Sequence, residues 1–353
     1  RDEEVLPDEL VGELLGPRPA VFLDDVVLRG DPVGLGVDEG SVHVPEDCCG
    51  EAHETSVYGA VGWCSDDEEA PVIELDDLPE LKDAVMIAAF EGWNDAGEAA
   101  SAVIEHLAEI WDAEVVAALD PEDYYDFQVN RPRVLLEGGR RRISWRTTRV
   151  LVATDTSLGR DVVLVQGVEP SFRWRAFAID LMELAQATDV SMVITLGALM
   201  ADVAHSRPIP VSATSDSEDT RHRHDLEMST YEGPTGIVGV LADAATQVGI
   251  PSVSAWAAVP HYAGHSPSPK ATLALVSRLE ELLDAPIEHA DLDEDSRAWE
   301  RGINELASSD SEVAEYVESL EEAQDTADLP EASGDAIAKE FERYLRRRGT
   351  DED

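Results

Sequence analysis

Lysine is nearly missing from this chain: Lys82, Lys270 and Lys339 are three of its 26 basic residues, and the other 23 are arginine. Against 75 acidic residues they leave a formal net charge of −49 in 353 residues. A surface of that sign repels nucleic acid and anionic membranes, so neither is expected as a partner. Cysteine is also scarce. Cys48, Cys49 and Cys64 are the only ones, and residues 71–353 have none. That leaves no disulfide framework and no four-ligand zinc site, which suits a reducing cytoplasm. No run reaches the roughly 18 apolar residues of a membrane span, and no charged-then-apolar leader opens the sequence. Phosphate and nucleophile signatures are missing too. There is no GxxxxGK[ST] and no GxSxG elbow, and Gly34-Leu-Gly36 fails the dinucleotide spacing. The expectation is a chain with no bound cofactor and no resident metal.

What is present divides the chain into parts. Residues 1–70 carry 19 acidic and 3 basic residues, scattered Gly and Pro, and no sustained helical period. They read as a poorly ordered acidic extension, or as a translated upstream region since the sequence opens on Arg1, with Asp66–Glu69 as a linker. From 71 to about 287 apolar runs alternate with helical periodicity. Expected strands are Ala84–Phe90, Ala113–Leu119, Val162–Val168, Ser191–Leu196, Pro210–Ala213 and Val253–Val259. Expected helices are Ala96–Trp111, Phe172–Ala187, Gly236–Val248 and Lys270–Leu283. Runs such as VSMVITLGAL call for strands buried on both faces, hence an α/β fold with a mostly parallel sheet between helices. A hairpin interrupts this at residues 131–155, with arms Val134–Glu137 and Ile143–Thr154 around Gly138-Gly139. Seven arginines fall within it, including Arg140, Arg141 and Arg142. In so acidic a protein they point to a contact with a second copy, the plainer reading being a solvated face. After Pro286 three amphipathic stripes follow, on Trp299/Ile303/Leu306, Val313/Tyr316/Val317/Leu320 and Ile337/Phe341/Tyr344/Leu345.

The segment AVMIAAFEGWNDAGEAASAVIEHLAEIW, residues 84–111, is the most informative. A buried strand runs through a polar turn into a helix, placing Glu91, Trp93, Asn94 and Asp95 where open sheets bind ligands, beyond a strand's carboxyl end. Asp95 and Glu98 have the spacing of a capping box, which gives Asp95 a structural duty. Asn94 and Glu91 have none, and Trp93 is open to either stacking or packing. Tyr231–Gly236 precedes a helix, where backbone N–H groups can hold an anion or Thr235 can simply cap. His205 and Arg207 follow the 191–200 run, and His261 and Tyr262 follow Val253–Val259. His222, His224 and Asp225 read as an exposed loop sooner than as metal ligands.

Several motifs occur in order: FEGWNDAG, VQGVEPSFRW, ADVAHSRPIPV, YEGPTGIVGVL, SVSAWAAVPHYAGHSPSPKATLAL and GDAIAKEFERYLRRRG. Together they resemble the actinobacterial branch of the proteasome assembly chaperone family, over roughly residues 72–349. Ala204 stands where that pattern has Pro, and Ser206 where it has Thr. The resemblance implies a three-layer α/β/α sandwich with a core like that of purine nucleoside phosphorylases. It also implies a homotrimer with the hairpin at the subunit contact, and a C-terminal helical lid, here 288–349, over a ligand pocket. It carries no catalytic residues. The pocket is expected to draw on Glu91, Trp93, Asn94 and Asp95, on Glu169 and Arg173 from VEPSFRW, and on His205, Arg207, Thr235, His261 and Tyr262. Two functions stay open: a ligand-binding or protein-assembly module, and an enzyme acting on a small polar or phosphorylated ligand, phosphorylase-like or hydrolytic.

Overall fold

The apolar run after Lys82 forms β1 (Val85–Glu91), and it lies at the centre of a seven-stranded sheet. The computed structural model describes residues 79–264 and 267–327. The acidic segment 1–70 and the third helical stripe at 337–345 lie outside the described residues. After β1 come α1 (Ala99–Ile110), β2 (Glu114–Ala118), α2 (Pro121–Tyr124), β3 (Arg133–Glu137), β4 (Arg140–Ser144), β5 (Arg149–Ala153) and β6 (Val162–Val168). Then follow α3 (Trp174–Ala187), β7 (Met192–Ala201), β8 (Val211–Thr214), α4 (Glu218–His224), α5 (Ile237–Gln247), β9 (Ser252–Pro260), α6 (Pro269–Leu283), α7 (Leu292–Ser308) and α8 (Ser311–Ala327).

The sheet order is β2-β5-β6-β1-β7-β9-β8. Pairing is parallel for β6-β1, β1-β7 and β7-β9 and antiparallel for β2-β5, β5-β6 and β9-β8, so the sheet is mixed: β2 runs with the four central strands, and β5 and β8 run against them. Alternation along β1 assigns its two faces. Val85, Ile87 and Ala89 pack with Val103, Leu107, Leu275 and Leu279 of α1 and α6. Met86, Ala88 and Phe90 pack with Phe177, Leu181, Ile237 and Leu241 of α3 and α5. Helices thus cover both faces, as the two-sided apolar runs require.

Two sequence expectations are corrected. The second hairpin arm ends at Ser144, because Val150–Ala153 is a buried apolar run that joins the main sheet between β2 and β6. The exposed RRRIS of β4 pairs only with β3. Their two-residue turn, Gly138 (φ 55°) and Gly139 (φ 82°), needs the left-handed backbone that glycine adopts freely. His222 and His224 sit on α4, a capped helix and not a loop: the Ser217 hydroxyl accepts from the Thr220 N–H at 3.3 Å. Among the described residues no helix is long and apolar enough to cross a membrane.

Candidate functional site

The turn after β1 is held by its own polar groups. Gly92 (φ 120°) reverses the chain, and the Asn94 carbonyl then accepts from the Ala198 N–H of β7 (2.8 Å). Asn94 is completely buried. Its Nδ2 donates to Glu169 Oε1 (2.8 Å), and the same oxygen accepts from the Ile237 N–H at the start of α5 (2.9 Å). The protein's own Glu169 carboxylate therefore occupies the helix start that the sequence offered to an anion. Asn94 Oδ1 is buried with no hydrogen-bond partner.

Asp95 caps α1, but not through a capping box. Its Oδ1 accepts from the N–H groups of Ala100 (2.7 Å) and Ser101 (3.2 Å), and its Oδ2 from the Ser101 hydroxyl (2.5 Å). Gly97 (φ 62°) and Glu98 (φ 52°) kink the chain between Asp95 and α1, so Glu98 turns outward. Burial raises the Asp95 carboxyl above its ordinary range, and the Ser101 hydroxyl and two amides oppose this. Glu91 pairs with Arg146, which ties the base of the hairpin to the end of β1.

Around this turn opens a cleft of about 1800 Å³. Glu91, Trp93, Asp95 and Thr235 line it, with Glu169 and Asn94 directly behind its wall at Gly236. Large apolar side chains also stand exposed along it: Trp93 is 70% accessible, Tyr231 67%, Met200 48% and Leu199 46%. Sequence reading missed the last three. Leu199 and Met200 looked like ordinary strand residues, but β7 is buried only as far as Ala198 and its last residues are not.

The remaining predicted residues lie elsewhere. Arg173 pairs with Asp123 and sits over the Tyr124 ring, 5.5 Å from its centroid. His205, Arg207, His261 and Tyr262 form a clasp with α7 and α8. The His205 N–H donates to the Tyr262 hydroxyl (2.8 Å), His205 Nδ1 lies 2.8 Å from that hydroxyl, and Nε2 lies 3.2 Å from Asn304 Oδ1. Arg207 holds the Asp325 carboxylate with two bonds of 2.7 Å, and Gln324 Oε1 accepts from the Ala204 N–H (2.6 Å). His261 faces Asp202 at 3.3 Å and stacks edge-on with Tyr316. Lys270 Nζ donates to the His205 carbonyl (2.6 Å) and to Glu300 (2.5 Å). Its being one of three lysines was the available clue to that role. Asn94 bonds to Glu169, Arg207 to Asp325, and His261 faces Asp202. Among the described residues no group of three or more His, Cys, Asp or Glu could hold a metal ion.

His205 is fully buried, and burial lowers its pKa below the ordinary 6.5, with the Lys270 ammonium adding to the effect. The unfolded chain takes up a proton as pH falls below that value while the folded clasp does not, so acid favours unfolding. Wild type is expected to lose more thermal stability than His205→Gln between about pH 7.5 and about pH 5. Equal losses would remove His205 as the cause.

A profile of the PAC2 family matches residues 89–307. The chain is similar to a PAC2 family protein from Streptomyces avermitilis, with 56% identity and a TM-score of 0.64 over 67% of this chain and all of that one. It is also similar to a proteasome-assembly chaperone homologue from Mycobacterium tuberculosis, with 47% identity and a TM-score of 0.61 over 66% of this chain and 99% of that one. No curated protein matches the chain.

Proposed function

This chain belongs to the PAC2 family, and from that premise we propose that it is a protein-assembly module of the proteasome-assembly-chaperone type, with the cleft at the β1 turn as its recognition surface. The observation that carries this is the size and lining of the cleft. At about 1800 Å³ it exceeds the roughly 300–1,000 Å³ of small-molecule pockets. Exposed Trp93, Tyr231, Leu199 and Met200 give it the aromatic and methionine content of protein interfaces. An enzyme acting on a small polar or phosphorylated ligand has less behind it. Asp95 and Glu169 are engaged in helix capping, Glu91 is paired, and His205 and His261 lie in the clasp.

The proposal keeps the finer expectations of the family resemblance. These are a core like that of purine nucleoside phosphorylases, α7 and α8 as part of a lid, a cytoplasmic setting, and a homotrimer joined through the hairpin. The hairpin suits that contact physically. Cross-strand pairing puts Val134, Leu136 and Ile143 on one face with Arg141, and the three apolar side chains are 56%, 74% and 42% exposed. Apolar side chains exposed on one face of a strand pair suit an interface.

One co-expression experiment tests both parts. The chain is produced with the proteasome α and β subunits of its own organism and analysed by size-exclusion light scattering. Wild type is expected to co-elute with them, and Trp93→Ala to keep its own assembled mass while losing the complex. Replacing Arg140–Arg142 with Glu is expected to lower the chain's own mass. A complex that survives Trp93→Ala, or none with wild type, overturns the cleft reading; an unchanged mass refutes the hairpin contact.

A further inference from the structure

Ser268 stands at the head of α6 with nothing bound to its hydroxyl. The residue is 1% exposed, and its Oγ is buried with no hydrogen-bond partner. A serine just before a helix ordinarily accepts from an amide two or three residues on. Here the Ala271 amide donates to the Ser268 carbonyl instead (2.9 Å), as does the Thr272 amide (3.1 Å). The Ser268 N–H donates to the Gly97 carbonyl (2.8 Å). Both backbone groups are thus engaged. Ser268 also lines the cleft, so the hydroxyl is what it has left to offer an occupant. Burying a hydroxyl unpaired costs stability, and the bonding within the fold does not account for it.

The charge around Ser268 selects the ligand. Glu98 follows Gly97 directly, and Asp295 lies in the first turn of α7; both are exposed and line the same cleft. The two arginines of the cleft, Arg133 and Arg146, belong to the hairpin and its base, and Arg146 is paired with Glu91. Lys270 gives its ammonium to the His205 carbonyl and Glu300. An anion gains little from the start of α6, because Pro269 occupies its first turn and has no N–H. Two carboxylates and an accepting hydroxyl suit a positively charged group with several N–H donors. Pro267 and Leu292, also in the lining, offer apolar surface along which an alkyl stem can lie.

We infer that a protein partner anchors in the cleft by an arginine or lysine side chain, which donates to Ser268 Oγ and to the Glu98 and Asp295 carboxylates. This rests on the cleft being a protein-recognition surface, and it names the group that surface reads. Trp93, Tyr231, Leu199 and Met200 supply apolar contact without direction; the Ser268 corner supplies the polar contact that fixes register.

Ser268→Ala removes the anchor's acceptor and an unpaired buried polar atom together. It is therefore expected to melt at or above the wild-type temperature while binding less. The probe is Nα-acetyl-arginine amide, titrated into the full chain by saturation-transfer NMR, with Nα-acetyl-norleucine amide as the uncharged control. Wild type is expected to bind the arginine amide and not the norleucine amide. Ser268→Ala, and separately Glu98→Gln with Asp295→Asn, should each weaken that binding about tenfold, as for a lost hydrogen bond to a charged group. In the co-expression experiment Ser268→Ala should weaken the proteasomal complex by a similar factor. Asp243→Asn, on α5 against the other face of the sheet, should not. No binding of the arginine amide, equal binding of the norleucine amide, binding indifferent to these variants, or a Ser268→Ala protein less stable than wild type would each overturn the inference. So would a complex of wild-type strength with Ser268→Ala; if Trp93→Ala still abolishes that complex, the cleft reading stands and only the anchor falls. With no wild-type complex, both fall.

Discussion

Gly236→Ala is expected to destabilise the protein by about 1–3 kcal/mol, the cost of forcing a methyl group into a packed interior. A Cβ at this position would lie 2.0 Å from Asn94 Oδ1 and 2.7 Å from its Cγ. Backbone strain is not the reason, since φ at Gly236 is an ordinary −95°; the reason is space. Asn94 cannot yield. Its side chain is fully buried and bonded to Glu169, and its carbonyl is bonded to β7. Either that amide turns away and Glu169 loses a donor, or α5 shifts and Ile237 loses its cap. Denaturant unfolding measures the loss. Asn94→Ala in the same background should recover much of it, because the opposing atoms are gone, and that coupling distinguishes collision from a general intolerance of substitution. Gly302→Ala on α7, where nothing lies within 4 Å, should be neutral or stabilising. A Gly236→Ala protein as stable as wild type would mean the cleft wall is looser than the structure has it.

Lys270→Met is expected to cost about 2 kcal/mol, in the range for hydrogen bonds to a charged group. The lysine side chain is 14% exposed and Glu300 35%, so the orphaned carboxylate can rehydrate, and the loss stays below that of a fully buried pair. Methionine keeps the length and apolar stem, so the change isolates the ammonium. The damage should be local. Amide exchange should quicken through 299–307 of α7 and the 202–207 loop, while α1 and α5 stay protected. Arg207→Ala should do less, since Asp325, its partner, is 57% exposed and rehydrates readily. Uniform acceleration across the whole chain, or none, would show that Lys270 does not hold the clasp.

The two sites differ in how legible they were. The EGWNDAG turn could be placed from its neighbours alone, because a two-faced apolar run into a helical period admits one local structure. The duties of its residues were half visible. Asp95 was read as a cap, but its true partners, Ala100 and Ser101, depended on the left-handed kink at Gly97 and Glu98. Glu169 was read as a ligand group and instead caps α5, 68 residues further on. His205, Arg207, His261 and Tyr262 were grouped with the turn because all follow strands of one sheet. They meet α7 and α8 instead, and sequence periodicity carries no information about which helix crosses which loop.

Alternation and apolar runs depend on neighbours along the chain, so the sequence alone determined the α/β class, the central strands, the hairpin turn, the family and the acidity of the surface. Tertiary structure decided what distance along the chain conceals. It put antiparallel pairings at both edges of a parallel centre and drew β5 out of the hairpin into the main sheet. It gave the start of α5 to Glu169 instead of an external anion. It also divided one expected pocket into a cleft and a clasp. Each of these turns on pairings between residues of different elements, where burial and geometric fit, not local pattern, choose the partner.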